Sequence, residues 1–76
     1  MPYVPKDQLL TLVRRRFKCM NDSPFSRYYP RHYGWMTAIS FIFSIDGDSY
    51  SDDLEAWEET LVAAINEHYS QEEERW

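Results

Sequence analysis

One cysteine, two histidines and two glycines in seventy-six residues leave little from which to build a covalent or metal-held scaffold. Cys19 has no internal disulfide partner, and His32 and His68 lack the cysteine neighbours of a zinc site, so no metal and no other cofactor is expected. No apolar run approaches the roughly 20 residues that cross a bilayer. The opening Met1-Pro-Tyr-Val-Pro-Lys-Asp also lacks the basic start and apolar stretch of a secretory leader. These absences predict a soluble, cytoplasmic protein in a reducing compartment, with no membrane among its partners. What is present is aromatic: six tyrosines, four phenylalanines and three tryptophans make up 17% of the chain, and 43% of it is apolar. That is too much for a disordered segment, even at a net charge of −5. The length predicts one small domain, residues 1–76, with residues 71–76 fraying as an acidic tail.

The charge divides along the chain. Residues 1–38 carry Lys6, Arg14, Arg15, Arg16, Lys18, Arg27 and Arg31 against Asp7 and Asp22, whereas residues 39–76 carry Arg75 against eleven acids. Two readings follow. The halves neutralise each other in the fold or across a dimer, or the domain presents one basic and one acidic surface.

Leu10, Val13, Phe17 and Met20 recur at the spacing of one helical face, widened by Leu9 and Leu12, and Pro5 suits a first turn. They predict a helix over residues 5–20, ended by Asn21-Asp22-Ser23-Pro24. Residues 21–34 then read as a loop rich in arginine and tyrosine. From Trp35 to Ile45 large and small side chains alternate with a period of two, which predicts a strand. Pro30 would confine residues 27–33 to an edge role, and Asp46-Gly47 could turn the chain into a short return strand. Asp52-x-x-Glu55 has the capping-box spacing, and Leu54, Trp57, Leu61, Ala64, Ile65 and His68 continue it as a second helix to about residue 70. The expected fold is α+β: two amphipathic helices on a minimal antiparallel sheet of two or three strands, in the order helix, strand or hairpin, helix, with homodimer pairing through the strand to complete the sheet.

Two charges fall on apolar arcs: Arg16 in the first helix and Glu58 in the second. They are expected to pair between the helices, or else to reach the rim separately. His68, also on an apolar arc, reads as a packing residue and Cys19 as a small core filler. Asp46, Asp48, Asp52 and Asp53 cluster before the second helix, but their spacing does not match a calcium loop, and helix capping accounts for them.

Nothing in the chain assembles a nucleophile, a base and an oxyanion site, so the residues point to a non-enzymatic binding protein. Two surfaces are candidates. Asp52, Asp53, Glu55, Glu59 and Glu67 lie on the outward side of the second helix and could enter a groove that normally holds phosphates, making the chain an inhibitor or modulator of a larger, basic, nucleic-acid-handling protein. In size and charge alone it resembles the small acidic phage proteins that act against restriction or CRISPR complexes as nucleic-acid mimics. Arg27, Tyr28, Tyr29, Arg31 and Tyr33 form the second candidate, an aromatic and basic loop suited to a protein partner. With the basic first helix, that loop also suits direct binding of nucleic acid by a small regulator. A dimerisation or subunit module is the remaining alternative.

Overall fold

Pro5, with extended backbone, opens α1 over Lys6–Asp22, its carbonyl accepting from the Leu9 amide at 3.1 Å. In a computed structural model that describes residues 4–74, α1 is followed by α2 over Tyr29–Ile42, a short 3-10 turn over Gly47–Tyr50 and α3 over Leu54–Glu74. α1 buries Val13, Phe17 and Met20, the face its spacing predicts.

The turn between α1 and α2 is tied by its own backbone. Ser26 donates to the Ser23 carbonyl, Tyr29 to that of Ser26, and the Ser26 hydroxyl accepts from the Tyr28 amide. Pro30 then sits in the first turn of α2, where its missing N–H costs nothing. α2 ends in a complete Schellman motif: the Ile45 amide donates to the Ser40 carbonyl at 2.9 Å and the Ser44 amide to that of Phe41 at 3.0 Å. Ser44 takes the left-handed conformation this requires, with φ 63°.

α1 runs antiparallel to α3. The Tyr69 hydroxyl near one end of α3 donates to the Val4 carbonyl at 2.6 Å, while Phe17 and Asn21 share a groove with Leu54 at the other. α2 is also antiparallel to α1 and therefore runs with α3, Tyr33 lying by Trp57 and Phe43 by His68. Two parallel neighbours cannot be joined by a tight turn. Residues 43–53 travel back along α2 as a strap, with Gly47 buried between Thr37 of α2 and Trp57 of α3.

Trp57 is the centre of the core. It is fully buried, meets the rings of Phe17 and Tyr33 edge-on at 5.2 and 5.4 Å, and donates its indole N–H to the buried Ser40 hydroxyl at 2.8 Å. Met20, Met36, Ile39, Leu61, Ile65 and Tyr69 complete it.

The expected α+β fold is overturned: there is no strand among the described residues, hence no sheet and no strand edge for homodimer pairing. Residues 35–42 are helical, and the Arg/Tyr stretch read as loop contributes the first turns of that helix. The physical reason is backbone satisfaction. A lone strand had no partner in the chain, whereas a helix pairs its own amides and carbonyls. Three smaller readings change as well. Asp53 rather than Asp52 caps α3, its carboxylate accepting from the Ala56 amide at 3.1 Å. Cys19 is exposed, not a core filler. α3 continues through Glu74, and residues 75–76 of the expected tail lie outside the described residues.

Candidate functional site

α2 has two apolar sides. Tyr29, Tyr33, Met36, Ser40 and Phe43, spaced alternately by four and three, face the bundle, with Met36 and Ser40 fully buried. On the other side Arg31, Gly34, Trp35, Ala38, Phe41 and Ile42 are all exposed. Phe41 keeps 81% of its surface in solvent, Ile42 74% and Trp35 50%. A helix that is apolar all round is normally covered all round. Here one side is left open.

The charge around it divides by end, with Asp46 and Asp48 sharing a cleft with Phe41 and Glu67 sharing a groove with Ile42 at the C-terminal end of α2. No acid occurs between Asp22 and Asp46, and the cations of that stretch, Arg27 and Arg31, stand at the N-terminal end of α2. Arg27 donates to the Tyr28 hydroxyl at 2.9 Å, and the guanidinium groups of Arg27 and Arg31 lie 5.0 and 6.0 Å from the Tyr28 ring. Such cation–π stacking fixes the side chains before any partner arrives.

Arg16 braces the middle of the surface from α1. Its guanidinium carbon lies 4.9 Å from the Trp35 ring, and Nη1 donates to His32 Nδ1 at 3.1 Å. Because arginine only donates, His32 accepts through Nδ1 and carries its proton on Nε2. Arg16 Nε is buried without a partner, so the brace is held at the expense of one unsatisfied donor. The anticipated Arg16–Glu58 pair is not what forms: Arg16 turns to α2, while half-buried Glu58 lines the groove between α1 and α3.

The Arg/Tyr candidates therefore separate. Arg27, Tyr28 and Arg31 are exposed, whereas Tyr29 and Tyr33 are half-buried and stacked on each other at 6.4 Å. Tyr33 also donates to Asp48 Oδ1 at 2.8 Å. That hydrogen bond, reinforced by burial and the Asp48 charge, raises the phenol above its ordinary 10.0.

The acidic candidates Asp52, Asp53, Glu55, Glu59 and Glu67 are all exposed, but they do not make one continuous strip. Asp53 is engaged as a cap. Glu55 lines a groove of about 370 Å³ together with Arg14 and Lys18, which set positive charge beside it. At 100° per residue Glu67 lies about 120° round α3 from Glu55, in a groove with Ile42, Phe43 and His68. The His68 ring, although exposed, packs edge-on against Phe43 and Tyr69, both at 5.6 Å.

The clustered aspartates serve local structure. Asp46 caps the 3-10 turn through the Asp48 amide and accepts from the Ser49 hydroxyl at 2.9 Å. No group of three or more metal-ligating side chains occurs among the described residues, and no described helix is long and apolar enough to cross a membrane. A cleft of about 670 Å³ between α2 and the strap is lined by Thr37, Phe41, Ile45 and Gly47, with Asp46 and Asp48 at its edge.

Comparison with protein-family models, curated proteins and solved structures gave no match. The functional reading therefore rests on geometry. Trp35, Ala38, Phe41 and Ile42 are the surface residues that sequence reasoning missed, because a strand period assigned them to a sheet. The 29-33-36-40-43 spacing was the available signal, obscured by a serine on the inner face and phenylalanine and isoleucine on the outer one.

Proposed function

We propose that this chain is a non-catalytic protein-binding module that engages its partner through the outward side of α2. The carrying observation is the apolar face of Trp35, Ala38, Phe41 and Ile42, held open to solvent, with Arg31 beside it at one end and Asp46, Asp48 and Glu67 at the other. Exposed apolar residues gathered on one helix, with aromatic and arginine anchors, are the composition of interface cores. Arg16 beneath Trp35 supports the reading, since a pre-ordered anchor loses little side-chain freedom on binding.

The acidic side of α3 supports a nucleic-acid-mimic reading less well, because Arg14 and Lys18 flank Glu55 and Glu67 stands apart. Capture experiments from the source cells separate the two surfaces. A specific protein retained by the wild-type chain and by Glu59→Lys, but lost with Phe41→Glu, fits the α2 reading. Loss with Glu59→Lys and retention with Phe41→Glu would return the binding surface to the α3 acids. Salt-sensitive retention of nucleic acid in place of protein would favour the basic-regulator reading.

A further inference from the structure

The geometry points to a helix of a partner protein as the occupant of the outward α2 face, apolar along the side that docks and carrying a carboxylate at one end of that side and a lysine or arginine at the other. This rests on the α2 docking reading and names the chemistry of its partner.

Charge sets the two ends. Arg31 stands in the first turns of α2 and lines a recess with Pro30, Gly34, Trp35 and Ala38. No acid occurs between Asp22 and Asp46, so α2 itself carries nothing to neutralise it. Asp46 and Asp48 share a cleft with Phe41, and Glu67 shares a groove with Ile42. No lysine or arginine occurs between Arg31 and Arg75, so that segment supplies no such cation to these carboxylates. Two of the three are held in place: Asp48 accepts from the Tyr33 hydroxyl at 2.8 Å and Asp46 from the Ser49 hydroxyl at 2.9 Å. Charges of opposite sign at the two ends of an apolar face favour a partner that carries the opposite sign at each.

The shape between the ends takes a bulky apolar side chain. The recess at Gly34 measures about 420 Å³ and is open to solvent. A Cβ on Gly34 would meet nothing within 4 Å, and its backbone is not left-handed, so the fold itself makes no demand for glycine there. Inside a helix glycine is less favourable than alanine, and what its missing side chain provides at this point is depth. Trp35 forms a wall already steadied by Arg16, whose guanidinium carbon lies 4.9 Å from the ring. The occupant is a helix because α2 pairs its own backbone groups. An extended segment would find no main-chain partners on this face, whereas a helix arrives with its amides and carbonyls already paired. From Arg31 to Ile42 α2 rises about 16 Å, which sets the partner's carboxylate and cation about three helical turns apart.

Selection of a displayed library of randomised helical peptides on the immobilised full chain tests this. Enriched peptides should carry bulky apolar residues at helical spacing, with an acid at one end and a base about three turns away. Repeating the selection on Arg31→Glu should replace the acid by a base. Gly34→Leu, which fills the recess, should weaken the peptides selected on wild type at least about tenfold, with helix content by circular dichroism undiminished. Gly34→Ala should weaken them less. Absence of any enriched peptide, or enriched peptides without the charge order or indifferent to Arg31→Glu and Gly34→Leu, would overturn the inference. If such indifferent peptides are still lost with Phe41→Glu, the α2 docking reading stands without it; if they are not, both fall. Self-association in sedimentation equilibrium that Gly34→Leu abolishes would make a second copy the occupant, and retention of single-stranded nucleic acid with the same dependence would make it a base; either overturns the partner named here.

Discussion

Gly47 lacks a Cβ because Trp57 occupies the space: a Cβ would lie 2.6 Å from Cζ2 and 3.2 Å from Cε2 of the indole. Its backbone needs no left-handed conformation, so the requirement is purely steric. Gly47→Ala must displace either the strap or the central ring, and should lower unfolding free energy by about 1–3 kcal/mol in a denaturant titration. Ser40→Ala acts on the same ring differently. It leaves the buried Trp57 N–H without its acceptor, at a cost of about 1–3 kcal/mol. Tyr33 titrates instead. Its proton is held more tightly in the folded chain than in the unfolded one, so its contribution is complete below pH 10.0 and fades as pH rises through the raised folded value. Stability of the wild type should fall more steeply over that alkaline window than that of Tyr33→Phe. The difference will be small for a hydrogen bond at the surface.

α2 is the element that sequence reasoning misassigned, and Ser44 helps to explain why. A left-handed helix stop ordinarily announces itself as glycine, but here a serine at φ 63° does the work, so the end of α2 carried no signal. Ser44→Gly should therefore raise stability, by about 0.5–1 kcal/mol, with the thermal midpoint as the readout. α1 and α3 were legible to within a few residues, because each has one apolar and one polar side. α2 was not. With apolar side chains on both sides, its sequence satisfies a strand period as readily as a helical one, and only the absence of a pairing partner separates them. The candidate site shared that fate: Arg27, Tyr28 and Arg31 were identified from composition, whereas the four apolar residues beyond them required the helix. Arg16 was singled out as misplaced for the right reason and given the wrong partner. A helical projection fixes the side from which a residue leaves its own helix, and here α2, not α3, stood on that side.

The bundle of described residues measures 45 × 23 × 18 Å, with the three helices lying along its long direction. Helices α1 and α3 cover the inner side of α2 and the strap covers one flank, so the remaining side depends on whatever docks there. Removing apolar surface from it should cost the isolated chain almost nothing. Phe41→Ser and Ile42→Ser are expected within about 0.5 kcal/mol of wild type, whereas Leu61→Ala in the core should lose about 2–5 kcal/mol. An exposed apolar face that contributes little to the fold is what the proposed docking role requires. All of this stands on residues 29–42 being a single helix. Cα secondary chemical shifts of the chain in solution measure that directly. An unbroken helical run from Tyr29 to Ile42, interrupted at Ser44, is the expected result. An extended-type run across residues 35–45 would contradict it, restoring the strand and dissolving the exposed face on which the binding proposal depends.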